Sequence, residues 1–248
     1  MYVGDMTWPE YEEHIKKSVV FLPVGSTEQH GPHLPLNVDQ ICPTELAKLI
    51  ADEIDGMVLP VIPYGYKSQP ESGGGQHIPG TTSLNGFTLT NVVLDVLRET
   101  YRHGGRKFVI YNGHYENTYF LKEAADLFVR EAEDARVMYM TWVDTLEDEF
   151  VEELFADCGF PGWDLEHAAV TETSLMMYFA PELVRTDLLV DDQFAVKPTY
   201  AMFHADVEKV PKTGVLYKAT FATREKGEKL VKAIVPSTAE VIRQEFGL

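Results

Sequence analysis

Two tripeptides in this sequence place an acidic side chain and an imidazole two residues apart. One is Glu28-Gln29-His30, within VGSTEQHGPHLPLNVD; the other is His114-Tyr115-Glu116, within NGHYEN. In extended backbone, positions i and i+2 point to the same side. Each tripeptide can therefore offer one oxygen and one nitrogen ligand together. Asp39 closes the first segment and supplies a carboxylate that two sites could share, and His33 in the same segment is a further potential ligand. Two such pairs and a shared carboxylate would hold two divalent ions bridged by a water or hydroxide. Mixed imidazole and carboxylate ligands suit Zn²⁺ or Mn²⁺. A hydroxide between two cations is a strong nucleophile at neutral pH, and the cations can polarise a carbonyl. A single His-x-Glu pair is common in loops, where both groups simply hydrogen-bond a turn. The repetition, with an acidic residue following, is what points to metal.

These residues need elements to position them. VVFLPVGS reads as a strand, DQICPTELAKLIADEI as a helix, MVLPVIPYG as a second strand, and NGFTLTNVVLDVLRETYRHGG as a helix ending at Gly104. KFVIYNG is a third strand, NTYFLKEAADLFVREAED a helix, and ARVMYMTWV a fourth strand. Helices near residues 146–155, 172–179 and 224–246 complete the pattern, with Met176, Met177, Tyr178 and Phe179 expected in the core. Strand and helix in alternation predict an α/β fold with a mainly parallel sheet. Such sheets bind ligands at the carboxyl ends of their strands. The two tripeptides both fall there. So does the long loop YGYKSQPESGGGQHIPGTTS after the second strand, and the fourth strand leads toward PGWDLEHAAVTET.

Bulk composition excludes some partners. Asp and Glu number 39 against 21 Lys and Arg, a net charge of −18, which argues against a nucleic-acid surface. The two cysteines, Cys42 and Cys158, are too few for a thiolate zinc site. The N-terminal stretch lacks the basic-then-apolar order of a signal peptide, and no apolar run is long enough to span a bilayer. The expectation is a cytoplasmic protein with one domain over residues 1–248 and no membrane partner. SGGGQHIPGTTS lacks the Gly-Lys-Ser/Thr of a phosphate loop; it is a turn, or backbone that approaches a substrate. His77 reads as a loop polar group; His14, His103 and His204 read as surface residues.

PVGSTEQHGPHLPLNVD and NGHYEN resemble the two metal motifs of the creatininase (creatinine amidohydrolase) family. YGYKSQPESGGGQHIPGTTSLNG, GWDLEHAAVTETSLM and TREKGEKL are also similar to segments of its creatininase branch, so the resemblance spans nearly the whole chain. It implies a three-layer α/β/α fold, a binuclear Zn and/or Mn site, a small-molecule substrate and a homo-oligomer, a hexamer. Carried over by motif, Glu28, Asp39 and His114 would hold one ion and His30, Asp39 and Glu116 the other. A bridging hydroxide would attack a cyclic amide. His167 would act as acid and base, with Glu116, Glu166 and Glu172 as further catalytic carboxylates. Ser72, Gly73, Gly74, Tyr115 and Trp163 would line the substrate pocket.

The resemblance has two departures. The family carries a mobile tryptophan on the strand before GWD; gapless alignment puts Val143 there, with Trp142 one residue earlier. A one-residue shift in a strand reverses the side chain. Either the backbone has slipped and Trp142 serves, or the pocket lacks its aromatic lid. EHAA, residues 166–169, also replaces the family's EHGG. The leading expectation is hydrolysis of creatinine to creatine. A diketo-inositol ring opened at a C–C bond is the alternative. A formamide deformylase acting on a nucleotide would need cationic contacts, for which Lys67 is the main candidate. A metal-binding protein without turnover would have no use for His167.

Overall fold

The computed structural model of the chain describes residues 1–197 and 199–248. A short helix, α1 (Trp8–His14), comes first; the sequence reading assigned no element there. The Glu10 carboxylate accepts the Thr7 backbone N–H at 2.7 Å, a Thr-x-x-Glu start signal. Strand β1 (Val19–Val24) follows and is buried along its length, as a strand covered on both faces must be. Then come α2 (Val38–Glu53), β2 (Met57–Val58), α3 (Gly86–Arg102), β3 (Lys107–Asn112), α4 (Thr118–Glu131) and β4 (Arg136–Thr141). Helices α5 (Asp148–Leu154), α6 (Val170–Phe179) and α7 (Arg224–Phe246) complete the chain.

The strands form one parallel sheet in the order β2-β1-β3-β4. Alternate residues feed opposite cores. Val20, Leu22, Phe108 and Ile110 pack with Leu89, Val93 and Leu97 of α3 and Leu121 and Phe128 of α4. Val19, Phe21, Val109 and Tyr111 pack with Leu46 and Ile50 of α2, Leu175 of α6 and Leu230 and Ile234 of α7. The result is the expected three-layer α/β/α sandwich. Each fully buried large side chain stabilises it by roughly 1.5–3 kcal/mol. Met176 is buried, while Met177, Tyr178 and Phe179 are half-buried against the same core.

Register levels the sheet's carboxyl edge. Val24 lies opposite Asn112, and Asn112 opposite Thr141. The loops after β1, β3 and β4 therefore open side by side. Two strands are shorter than expected. β2 ends at Val58; the Leu59 and Ile62 amides still bond Phe21 and Pro23 carbonyls at 2.9 and 3.0 Å, but Pro60 and Pro63 have no N–H to extend the ladder. β4 ends at Thr141, whose backbone N–H and hydroxyl both donate to Asp144, at 2.8 and 2.7 Å. Trp142 and Val143 consequently lie in a turn, and strand parity does not govern them. Among the described residues no helix is long and apolar enough to cross a membrane.

Candidate active site

The first turn of α2 is wedged between the ends of β1 and β3. A side chain at Gly25 or Gly113 would collide with the Asp39 backbone carbonyl. Pro43, four residues on, has no N–H to bond that carbonyl. Glycine at these two positions is what lets Asp39 reach the sheet edge. Its carboxylate there sits at the positive end of the helix, where an anion is favoured.

Glu28, His30 and His114 gather around Asp39. His114 Nδ1 is 3.1 Å from Glu28 Oε1 and 3.2 Å from Asp39 Oδ2. His30 Nε2 is 3.1 Å from Asp39 Oδ1 and 3.5 Å from Glu172 Oε2. Glu28, Asp39 and His114 could thus hold one ion; His30, Asp39 and Glu172 could hold a second; Glu28, His30 and His167 form a third close group. Both imidazoles are pre-set by their far nitrogens. His30 Nδ1–H donates to the Glu28 carbonyl at 3.2 Å, and His114 Nε2–H to the Tyr66 carbonyl at 3.0 Å. Each then turns a lone pair toward the carboxylates, the usual arrangement of a metal-ligating histidine.

A cation fits these residues. Glu28, His30, Asp39 and His114 are all 3% exposed or less. Glu28 Oε2, His30 Nε2 and Asp39 Oδ2 are buried with no hydrogen-bond partner among the described residues. Buried charges of one sign without donors are costly, so the cluster calls for positive charge. Its electrostatics say the same. Burial opposes a charged His30, yet Asp39 and Glu172 outweigh it and raise its pKa well above the ordinary value. Burial likewise opposes charge on His114, and Glu28 and Glu116 outweigh it. Burial pushes Asp39 up, but His30 and His114 hold it far below the carboxylate range.

The i, i+2 geometry serves Glu28 and His30 but not His114 and Glu116. A single 3₁₀ turn over Tyr115–Asn117 follows His114 and rotates Glu116 away. Glu116 Oε2 sits 3.4 Å from the far nitrogen of His114, and Oε1 accepts from Ser72 Oγ at 2.7 Å and the Gln69 amide at 3.0 Å. It lines the same hollow as Glu28, Asp39, Ser72, Tyr115, Trp163, Glu166, His167 and Glu172. Gly73 passes beside it; a methyl there would come within 3.0 Å of Glu116 Oε1 and 3.2 Å of Glu28 Oε2.

Glu166 and His167 are buried on the bend ahead of α6. His167 Nδ1 faces Glu28 Oε1 at 3.6 Å, and the ring lies 4.4 Å from that of His30. Burial, then the neighbouring His30, holds its pKa below the ordinary value. Glu166 Oε2 accepts from the Thr171 amide and hydroxyl at 2.7 and 2.6 Å, while its buried Oε1 has no partner among the described residues. Burial lifts its pKa to about 7. Glu172 Oε2 accepts the Ala168 N–H at 2.6 Å. Ala168, in the segment EHAA, has a left-handed φ of 54°, and its methyl is buried with Val215 and Ala219. His33 is buried too, but meets Thr173 Oγ1 at 3.0 Å and joins no ligand group among the described residues.

A family model for creatininase, described as creatinine amidohydrolase, matches residues 4–242. The chain belongs to the creatininase family. It is 45% identical to the creatinine amidohydrolase of Pseudomonas putida, over 99% of this chain and 97% of that protein. It is 31% identical to a mycofactocin precursor peptide peptidase of Mycolicibacterium smegmatis, over 93% of this chain and 87% of that one. A creatininase variant solved in complex with creatine superposes with a TM-score of 0.94 at 45% identity, over 99% of this chain and 98% of that one. Other matching creatininase structures are a manganese form and a Zn-Zn form.

Beside the hollow a cavity of about 500 Å³ is lined by Tyr115, Tyr139, Trp142, Val143, Trp163, Glu166 and Glu172. Trp142 is buried and meets Trp163 edge-on, with ring centroids 6.1 Å apart. Both residues of the turn after β4 thus reach the cavity, and an indole is among its walls. Sequence reasoning missed Gln29, whose buried amide lies 2.9 Å from His167 Nε2. It also gave Glu172 no part in the ligand sets. The Glu172 contact with His30 joins two distant segments, which no local spacing reveals. Gln29 sits in plain view between Glu28 and His30, but the same alternation that pairs those two sets it apart.

Proposed function

We propose that the chain is a binuclear metal-dependent amidohydrolase that opens creatinine to creatine. The observation that carries this reading is the pair of ligand groups sharing Asp39, with His167 Nδ1 turned toward them beside a cavity walled by Trp142 and Trp163. The 45% identity to a creatinine amidohydrolase over almost the full length supports the substrate, and the creatine complex of a relative supports the product. Glu28, Asp39 and His114 would hold one ion and His30, Asp39 and Glu172 the other. Zn²⁺ or Mn²⁺ bound there supplies a water acidic enough to attack at neutral pH and polarises the carbonyl.

The remaining chemistry belongs to the chain. Water adds to the lactam carbonyl carbon, the ring C–N bond breaks, and the nitrogen takes a proton. Burial, then His30, lowers the pKa of His167 and favours its neutral ring, whose Nδ1 can accept the proton lost by the water and return it to the departing nitrogen. Glu28 Oε1, 3.6 Å away, favours the imidazolium formed between those events. Glu116, held by Ser72 and the Gln69 amide, presents a second carboxylate to the same hollow. The free oxygen of Glu166 offers an acceptor for a substrate N–H. Trp142 and Trp163 supply flat apolar faces for a planar ring. A diketo-inositol, the alternative, has no flat ring to clamp, and the indoles of Trp142 and Trp163 beside the hollow favour a planar substrate over it.

By the same reading the chain works in the cytoplasm as a homo-oligomer; its exposed Phe87, Tyr119 and Phe203 offer apolar surface that assembly would cover. The test is creatine release from creatinine by protein reloaded with Mn²⁺ and Zn²⁺. Turnover of a cyclic diketone or a peptide amide in preference to creatinine would overturn the substrate.

A further inference from the structure

Gln29 lies between two candidate metal ligands, and its side chain meets three other segments, at Gly73, His167 and Gly214. Its amide nitrogen donates to the Gly73 carbonyl at 3.1 Å and the Gly214 carbonyl at 2.9 Å. Its amide oxygen accepts the Gly31 N–H at 2.9 Å. Two hydrogens and one carbonyl are thereby committed, so the amide cannot be turned over without losing all three bonds. The amide nitrogen also lies 2.9 Å from His167 Nε2 and has no hydrogen left for it. His167 Nε2 must then carry its own proton, and it donates to the Gln29 backbone carbonyl at 2.9 Å. One residue thus fixes both the tautomer and the tilt of the ring, leaving the Nδ1 lone pair for the reaction.

The glycines around it report how closely this brace is gripped. A methyl on Gly74 would come within 2.6 Å of the Gln29 amide nitrogen, and one on Gly214 would overlap its oxygen. Both glycines have positive φ, 78° each, which suits residues without a side chain. The later loop also returns to the histidine directly, since the Leu216 N–H donates to the His167 carbonyl at 3.2 Å. The Gly-rich segment therefore does more than approach a substrate: Gly74 makes room for Gln29.

We propose that Gln29 is a positioning residue for His167, bracing it against the glycine loop and the 211–216 loop. The proposal rests on the reading of His167 as the acid–base group. It acts through His167 and touches no reacting atom itself.

The test is a double-mutant cycle of Gln29→Met and His167→Ala, with metal content measured for every variant. In the wild-type background Gln29→Met keeps two ions per chain, holds KM for creatinine within about threefold and lowers kcat by roughly 10–100-fold, the scale of a misplaced catalytic group. In the His167→Ala background the same change lowers the residual rate by less than about twofold, because coupled residues are not additive. Equal losses in both backgrounds, or a loss that tracks lost metal, would overturn the proposal. A second readout needs no substrate. In Zn²⁺-loaded protein with ¹⁵N-labelled histidine, the His167 Nε2–H signal is single in wild type and moves or broadens in Gln29→Met; superimposable spectra would overturn it. Failure of wild type to hydrolyse creatinine would sink the substrate and leave this spectral test standing. Should Gln29→Met fail to fold, Gly214→Ala displaces the same amide from the far loop and must change the His167 signal in the same way; an unmoved signal would overturn the proposal.

Discussion

His30 Nε2 and Glu172 Oε2 stand 3.5 Å apart, the first in the loop after β1 and the second in the first turn of α6. Asp39 lies in the first turn of α2. Two helix N-termini therefore deliver carboxylates to one imidazole, and each helix end favours the charged form of its carboxylate. Glu172→Gln is expected to lower bound metal from two ions per chain to one. Glu116→Gln, outside both ligand groups, is expected to keep two ions and lose activity. Metal analysis of the two purified variants decides; the opposite pattern would return the second ion to Glu116.

Removal of metal leaves Glu28, Asp39 and Glu172 facing one another with only imidazolium to balance them. Chelator-treated protein is expected to melt at a lower temperature and to regain the lost stability on adding Zn²⁺ or Mn²⁺. A free ion at 100 times its dissociation constant adds about 2.7 kcal/mol for one site. A melting curve that ignores both chelator and metal would remove the ions from the account.

Trp142 is set by the Thr141–Asp144 turn and meets Trp163 edge-on. Trp142→Ala is expected to raise KM for creatinine about tenfold or more while leaving metal content intact, since the lost wall binds the ring and no ion. Val143→Ala is expected to change KM by less than about threefold. Steady-state kinetics on the pair would show which residue of the turn grips the substrate; a larger effect at Val143 would reverse the assignment.

His33 is buried, and burial holds its pKa at about 4, against 6.5 for the free group. Between those values the unfolded chain takes up a proton that the folded chain refuses. The contribution of His33 is thus complete above about pH 6.5 and is lost as pH falls toward 4. Measured without metal, wild type is expected to lose on the order of 2 kcal/mol more stability than His33→Gln between pH 7 and 5. Parallel denaturation curves for the two proteins across that range would contradict it.

The sheet was legible because parallel strands covered on both faces are continuous apolar runs, as in VVFLPV and KFVIYN. Their carboxyl ends then located the chemistry. What local pattern could not show was backbone direction between regular elements. The 3₁₀ turn at Tyr115 rotates Glu116 out of the ligand group, and the turn closed by Asp144 carries Trp142 to the cavity off the strand. The prolines at 60 and 63 keep β2 from running on past Val58, which the apolar pattern concealed. Glu172 and Gln29 depend on contacts between distant segments. Their chemistry is plain in the sequence, but their partners are set only by the packing of α6 and the glycine loops.

The most direct test compares creatine formation from creatinine by wild type and His167→Ala, each loaded to two ions per chain. Wild-type turnover of roughly 1–1000 per second is expected, with a fall in kcat of about 10²–10⁴-fold in the variant and equal metal content. No creatine from fully loaded wild type, or equal rates in the two proteins, would contradict it.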